Sequence, residues 1–158
     1  MKAQTMALGV ALCMCGCAVL FDTMMPEHPD YVATRNTLFV LKDDVYVLDW
    51  VDHRGHPMIS PFDRKLTAER IKNNIGRTIR DEVILAFVPK GTRFRVVGLR
   101  CTHNFEMGDQ LWFDLSFEGE IGKKWPLINS GYIAKFMPGN EPWPGRIHLR
   151  PDLVEEVK

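Results

Sequence analysis

Between Leu111 and Phe117 the chain reads LWFDLSF, with Leu111, Phe113, Leu115 and Phe117 recurring at every second position. A period of two commits the segment to a β-strand, because successive side chains on an extended backbone point to opposite faces of a sheet. The four apolar residues then form a buried face, and Trp112, Asp114, Ser116 and Glu118 lie on the other. One strand is not stable alone, so partners must follow from the rest of the chain. VILAFV at 83–88 and RFRVVGLRC at 93–101 flank Pro89-Lys90-Gly91-Thr92. This pattern predicts a β-hairpin over Val83 to Val97, turning at Pro89 to Thr92. Alternation slips at Val97-Gly98, which predicts a bulge. LFVLKDDVYVLDW, Leu38 to Trp50, predicts two strand pieces or one strand bent at Asp43-Asp44. After Trp50, Gly55, Pro57 and Pro61 mark a loop, and Thr67 is an N-cap for one short satellite helix through AERIKNN, closed by Gly76. From Pro138 a proline-rich loop, a short strand around Ile147 to Leu149 and a terminal helical turn complete a mainly β domain over residues 37–158.

The first residues follow a different logic. Lys2 precedes an apolar run from Met6 to Cys15, broken only by Gly9. A membrane-spanning helix needs about 20 residues, whereas the apolar core of a secretory signal needs about 7 to 15. Residues 1–16 are therefore expected to be a signal peptide. Met14-Cys15-Gly16-Cys17 resembles the lipobox of bacterial lipoprotein precursors, in which a small residue precedes the cysteine whose thiol accepts diacylglycerol. Of the three early cysteines, only Cys17 follows a small residue, so the resemblance implies lipidation at Cys17 and attachment to the membrane by acyl chains. Ala18 is not the aspartate that holds such lipoproteins in the inner membrane, which implies the outer membrane and its periplasmic face. The alternative, a thiolate metal cluster of Cys13, Cys15 and Cys17, lacks a fourth ligand nearby. Residues 17–36, with Pro26 and Pro29 and no sustained period, read as the lipidated N-terminus and a tether. Cleavage before Cys17 leaves Cys101 without a disulfide partner and predicts that it is buried.

Charge narrows the partners. Twenty Lys+Arg balance 20 Asp+Glu, with a pI near 7.0, so the chain has no long-range field to draw it to nucleic acid. Asp49, Asp52, His53 and His56 fall within eight residues and could hold a metal, but their proline-bounded loop accounts for polar residues by itself. Ser116 or Ser130 with His103 or His148 makes a hydrolase triad only on paper, since no G-x-S-x-G surrounds either serine. Cys101 ends an apolar strand, where a thiol is inert. Lys90, Arg93, Arg95 and Arg100 fit a solvated strand face better than an anion site. The sequence thus predicts no catalytic residue, no metal site and no cofactor. It does hold a set of amphipathic rings, Trp112, Trp125, Tyr132 and Trp143, of the kind that bind peptides or glycans.

The order VYVLDW, ILAFVPKGTRFRVVGL, LWFDLSFEGEIGKKWPLINSGYI resembles the bacterial SH3-like domain: a first strand, a lysine-glycine turn before a valine-rich strand, and a closing tryptophan and tyrosine segment. Residues 51–81 and 102–110 are insertions relative to that pattern. The resemblance implies a small antiparallel SH3-like barrel, with Trp125 and Tyr132 brought beside Trp112 as a ligand groove. It also implies a non-enzymatic module that binds an envelope protein or a peptidoglycan peptide. The alternative function is an inhibitor or immunity-type lipoprotein that blocks a toxin or hydrolase.

Overall fold

A computed structural model describes residues 21–51, 55–62, 67–79, 81–104, 108–139 and 142–158. The signal segment, Cys17, Asp52 and His53 lie outside the described residues. The described chain is mainly β. Its strands are β1 (Phe21–Met24), β2 (Leu38–Leu41), β3 (Val45–Trp50), β4 (Met58–Pro61), β5 (Thr78–Ile79), β6 (Glu82–Val88), β7 (Arg93–Asn104), β8 (Gly108–Phe117), β9 (Ile128–Asn129), β10 (Ala134–Pro138), β11 (Gly145–Leu149) and β12 (Val154–Glu156). Three short helices, α1 (Pro29–Thr34), α2 (Ala68–Lys72) and α3 (Glu120–Lys124), and one 3-10 turn, Gly131–Ile133, connect them.

One sheet runs β12-β2-β7-β8-β9-β4-β3-β6-β5, with β1 added beside β7, while β10 and β11 pair separately. Its two end strands, β12 and β5, do not pair with each other, so the sheet is not closed into a barrel. No helix among the described residues is long and apolar enough to cross a membrane.

The alternation read in LWFDLSF holds. Leu111, Phe113, Leu115 and Phe117 are all buried in the main core with Phe39, Val47, Phe94 and Leu99. The bulge falls where the period slips, between Val96 and Gly98. β3 is buried on both faces: Val45 and Val47 enter the main core, whereas Tyr46 and Leu48 join Ile71 of α2 and Ile84 in a second cluster. That double burial is why the segment reads as a nearly continuous apolar run. Thr67 caps α2 as expected, its hydroxyl accepting from the Arg70 N–H at 3.2 Å.

The expected hairpin over Val83 to Val97 is absent. β6 pairs with β3 and β5, and β7 pairs with β1, β2 and β8, so the two strands do not pair with each other. The tight turn is real, since the Thr92 N–H donates to the Pro89 carbonyl at 3.2 Å and Gly91 has φ +85°. It serves as a corner. Residues 38–50 run antiparallel to residues 82–95, and both chains bend together, 38–50 at Asp43-Asp44 and 82–95 at Lys90-Gly91. The Gly91 N–H donates to the Leu41 carbonyl at 2.9 Å, and the Asp44 carboxylate accepts from the Lys90 N–H at 2.8 Å. Turn chemistry dictates a sharp bend but not which strand lies alongside. Gly91→Val should cost about 1 kcal/mol or more through backbone strain alone. A Cβ there meets nothing within 4 Å, so an unchanged urea midpoint would contradict the strained corner.

Other expectations are corrected by tertiary context. The tether reading of residues 17–36 fails from Phe21 on, where β1 pairs with residues 100–103 of β7 and α1 follows. Pro29 does not break structure here. It stands in the first turn of α1, where a missing N–H costs nothing. One satellite helix becomes three. The loop after Trp50 contains β4, held by β3, and the terminal helical turn is instead β12, which completes the edge of β2. Val154, buried beside Leu41, gains more there than a short helical turn offers.

Candidate functional site

The β7–β8 pair brings three chemically active side chains together. Cys101 and His103 are two residues apart on β7 and so share a face, and register sets Asp109 of β8 directly opposite His103. His103 Nδ1 lies 2.8 Å from Asp109 Oδ1 and 3.9 Å from Cys101 Sγ. Cys101 continues the core face of Leu99 and is buried as the sequence predicts, while His103 and Asp109 stand at its rim. Burial pushes the Cys101 thiol up to about 11, with the negative charges of Asp109 and Asp22 adding to it and the Gln110 N–H opposing it. At neutral pH it is a thiol. Both neighbours meet the same ring nitrogen, whereas a relay from thiol through imidazole to carboxylate needs the two nitrogens separately.

A cleft of about 810 Å³ opens over this rim. His103, Asp109 and Gln110 supply its polar end, and Met25, Phe136, Pro138, Pro142, Trp143 and Pro144 its apolar walls. Apart from Met25, which follows β1, the walls come from the β10–β11 hairpin, which α1 clamps in place. Arg146 Nε donates its single N–H between the two Asp30 carboxylate oxygens, 2.9 Å from each, and the Ile147 N–H donates to the same carboxylate at 2.8 Å. Burial alone would raise the Asp30 carboxyl, but the Arg146 hydrogen bonds, the Ile147 N–H and the positive charge of Arg146 outweigh it and hold the group below the usual carboxylate range. His28 is fully buried. Its Nδ1 accepts from the Asp30 N–H at 3.2 Å, so Nε2 carries the proton donated to the Gly145 carbonyl at 3.0 Å. Its ring also packs on Trp143, centroids 5.0 Å apart.

The residues expected to form a groove are placed differently. Trp112 sits opposite Arg100, on the β8 face away from Cys101. That face carries an ion cluster in which Arg100 Nε donates to Asp114 at 2.9 Å and Arg100 Nη1 to Asp22 at 3.1 Å. Trp125 packs partly against the main core, with Lys124 Nζ 4.5 Å from its ring centroid, and Tyr132 is 49% exposed on the 3-10 turn. No ring contact joins Trp112, Trp125 and Tyr132 among the described residues. Trp143, the fourth ring of the set, is the one at a cleft.

The remaining sequence candidates have local roles. Asp49 accepts from the Trp50 N–H at 3.0 Å and the Gly55 N–H at 2.8 Å, which fastens the loop, and His56 is exposed. Ser130 Oγ accepts from the Phe113 N–H at 3.1 Å, Ser116 faces Arg95, and His148 faces Lys135 on β11. No hydrogen bond joins either serine to a histidine among the described residues. Arg93 and Arg95 are exposed, as a solvated face requires. The sequence reading missed the His103–Asp109 pair and the Asp30–Arg146 clamp. Cys-x-His on a strand signals one shared face, but the register that adds Asp109 is a property of strand pairing. Comparison of the chain with protein-family models, curated proteins and solved structures finds no match.

Proposed function

We propose that this protein is a lipid-anchored envelope protein that acts as a non-enzymatic binding module, with the cleft between the β7–β8 end and the β10–β11 hairpin as its ligand site. The observation that carries the reading is the cleft itself. Tryptophan, phenylalanine and proline walls converge on a polar end made by His103, Asp109 and Gln110, the usual make-up of a site that holds an extended peptide by its apolar side chains and orients it by hydrogen bonds. The signal run ending at Gly16-Cys17 supports lipidation at Cys17 and an address on the periplasmic face of the outer membrane, where envelope proteins and peptidoglycan peptides are the available partners. Kinship to the SH3-like family belongs to the same reading. It rests on the order of the three sequence segments, while the open sheet departs from that family's closed barrel.

The test is retention of the lipidated protein on purified peptidoglycan and pull-down from its own envelope, with mass spectrometry of the mature N-terminus for acylated Cys17. Trp143→Ala should weaken retention by about 2 kcal/mol, as removal of an anchoring ring does, and Tyr132→Ala should leave it unchanged. Equal effects of the two substitutions would remove the cleft from the reading. Capture of a single enzyme at equal stoichiometry would instead assign the protein to the inhibitor class.

A further inference from the structure

The arrangement at the rim of the β7–β8 pair has chemistry beyond the hydrogen bonding that His103 and Asp109 offer a ligand in the cleft. The Cys101 thiol, the His103 Nδ1 and an Asp109 carboxylate oxygen lie within 4.8 Å of one another. A hydrogen-bonded cluster spreads its contacts over different atoms, yet here sulfur and oxygen converge on one ring nitrogen, which offers either one proton or one lone pair. Three donor atoms this close together are what a chelated ion requires. From these positions we infer that Cys101, His103 and Asp109 form a three-ligand site for a divalent transition metal of the zinc class.

Distances decide whether the site can close. Tetrahedral zinc with ordinary bond lengths places sulfur, nitrogen and oxygen ligands about 3.3–3.6 Å apart. The nitrogen–sulfur separation of 3.9 Å and the nitrogen–oxygen separation of 2.8 Å bracket that range. Adjustments of about half an ångström in the His103 and Asp109 side chains, both at the solvent rim, bring the nitrogen–sulfur and nitrogen–oxygen separations to it, and the sulfur and oxygen lie within 4.8 Å of each other. One antiparallel pair holds the three Cα positions, with Cys101 and His103 two residues apart on β7 and Asp109 opposite His103 on β8. The donor set selects the ion. A thiolate and an imidazole favour zinc-like ions over calcium or magnesium, which take oxygen ligands. On binding, the Cys101 thiol releases its proton to solvent and the thiolate becomes a ligand. Three protein ligands leave a fourth position, and two of them, His103 and Asp109, line the cleft.

The inference does not depend on what enters the cleft, since the ion needs only the three side chains. Its test uses the full chain with Cys13, Cys15 and Cys17 replaced by serine, so that Cys101 is the sole thiol. One equivalent of cobalt(II) should produce a thiolate-to-cobalt charge-transfer band in the near ultraviolet and d–d absorption in the visible, and zinc(II) should displace both. Cys101→Ser should abolish the charge-transfer band. Asp109→Asn and His103→Ala should each weaken zinc binding by more than about 10-fold with unchanged far-ultraviolet circular dichroism. Asp109 is half-exposed, so its variant keeps the test decisive even if Cys101→Ser does not fold. Absence of the charge-transfer band in the folded protein, or equal zinc affinity in the parent and Asp109→Asn, overturns the site.

Discussion

Phe94→Ala should destabilise the protein by about 3–5 kcal/mol, the range for emptying a closed core site of an aromatic ring. Phe94 is 0% exposed, and it is held from both sides by cross-strand partners. On β2 it faces Phe39, with ring centroids 5.7 Å apart, and on β8 it faces Phe117 at 5.0 Å. Three aromatic rings on neighbouring strands cannot collapse inward without breaking their registers, so most of the cavity remains. Urea unfolding of Phe94→Ala beside Arg93→Ala tests the placement. Arg93 is the preceding residue on the exposed face and should change stability by no more than about 0.5 kcal/mol. Similar losses in the two variants would mean that the faces of β7 are assigned wrongly.

Asp30→Ala should cost about 3 kcal/mol, since it leaves the buried Ile147 N–H without an acceptor and removes charge-assisted bonds from Arg146. The effect should be concentrated in the β10–β11 hairpin, which meets α1 through this carboxylate. Acid sensitivity follows with a definite sign. The Asp30 carboxyl is held below its ordinary value of 3.8 in the folded protein. Between the folded and unfolded values only the unfolded chain binds the proton, so stability rises with pH there. Asp30 therefore contributes fully above the unfolded value, and the contribution is lost as pH falls through the lower folded value. Hydrogen exchange at Ile147 and acid unfolding of Asp30→Asn check both parts. A parent and variant with the same acid limb would rule out the clamp as its source.

Much of the strand content is legible because burial imposes a period. Leu111 to Phe117 declares its inward face, Val97-Gly98 declares its bulge, and Thr67 declares the start of a helix, each through chemistry confined to a few neighbouring residues. The same locality explains the failures. Pro89 to Thr92 encodes a turn, but the partner of β7 is chosen by Phe39 and Phe117, which are distant in sequence. Phe21 to Met24 has no pattern of its own and becomes a strand only because β7 offers it an edge.

The candidate site divides along the same line. From the sequence alone come the burial of Cys101 and the presence of a set of amphipathic rings, whereas the extension of β7 past Cys101, which puts His103 on the same face, is a property of the fold. Only the tertiary structure joins Asp109 to His103, carries Trp143 to the cleft, and leaves Trp112 on the opposite face. The reason is physical. Side-chain period and turn dihedrals are set within a few residues, whereas strand register and the clamp of Asp30 on Arg146, 116 residues away, are set by the burial and hydrogen bonding of the folded whole.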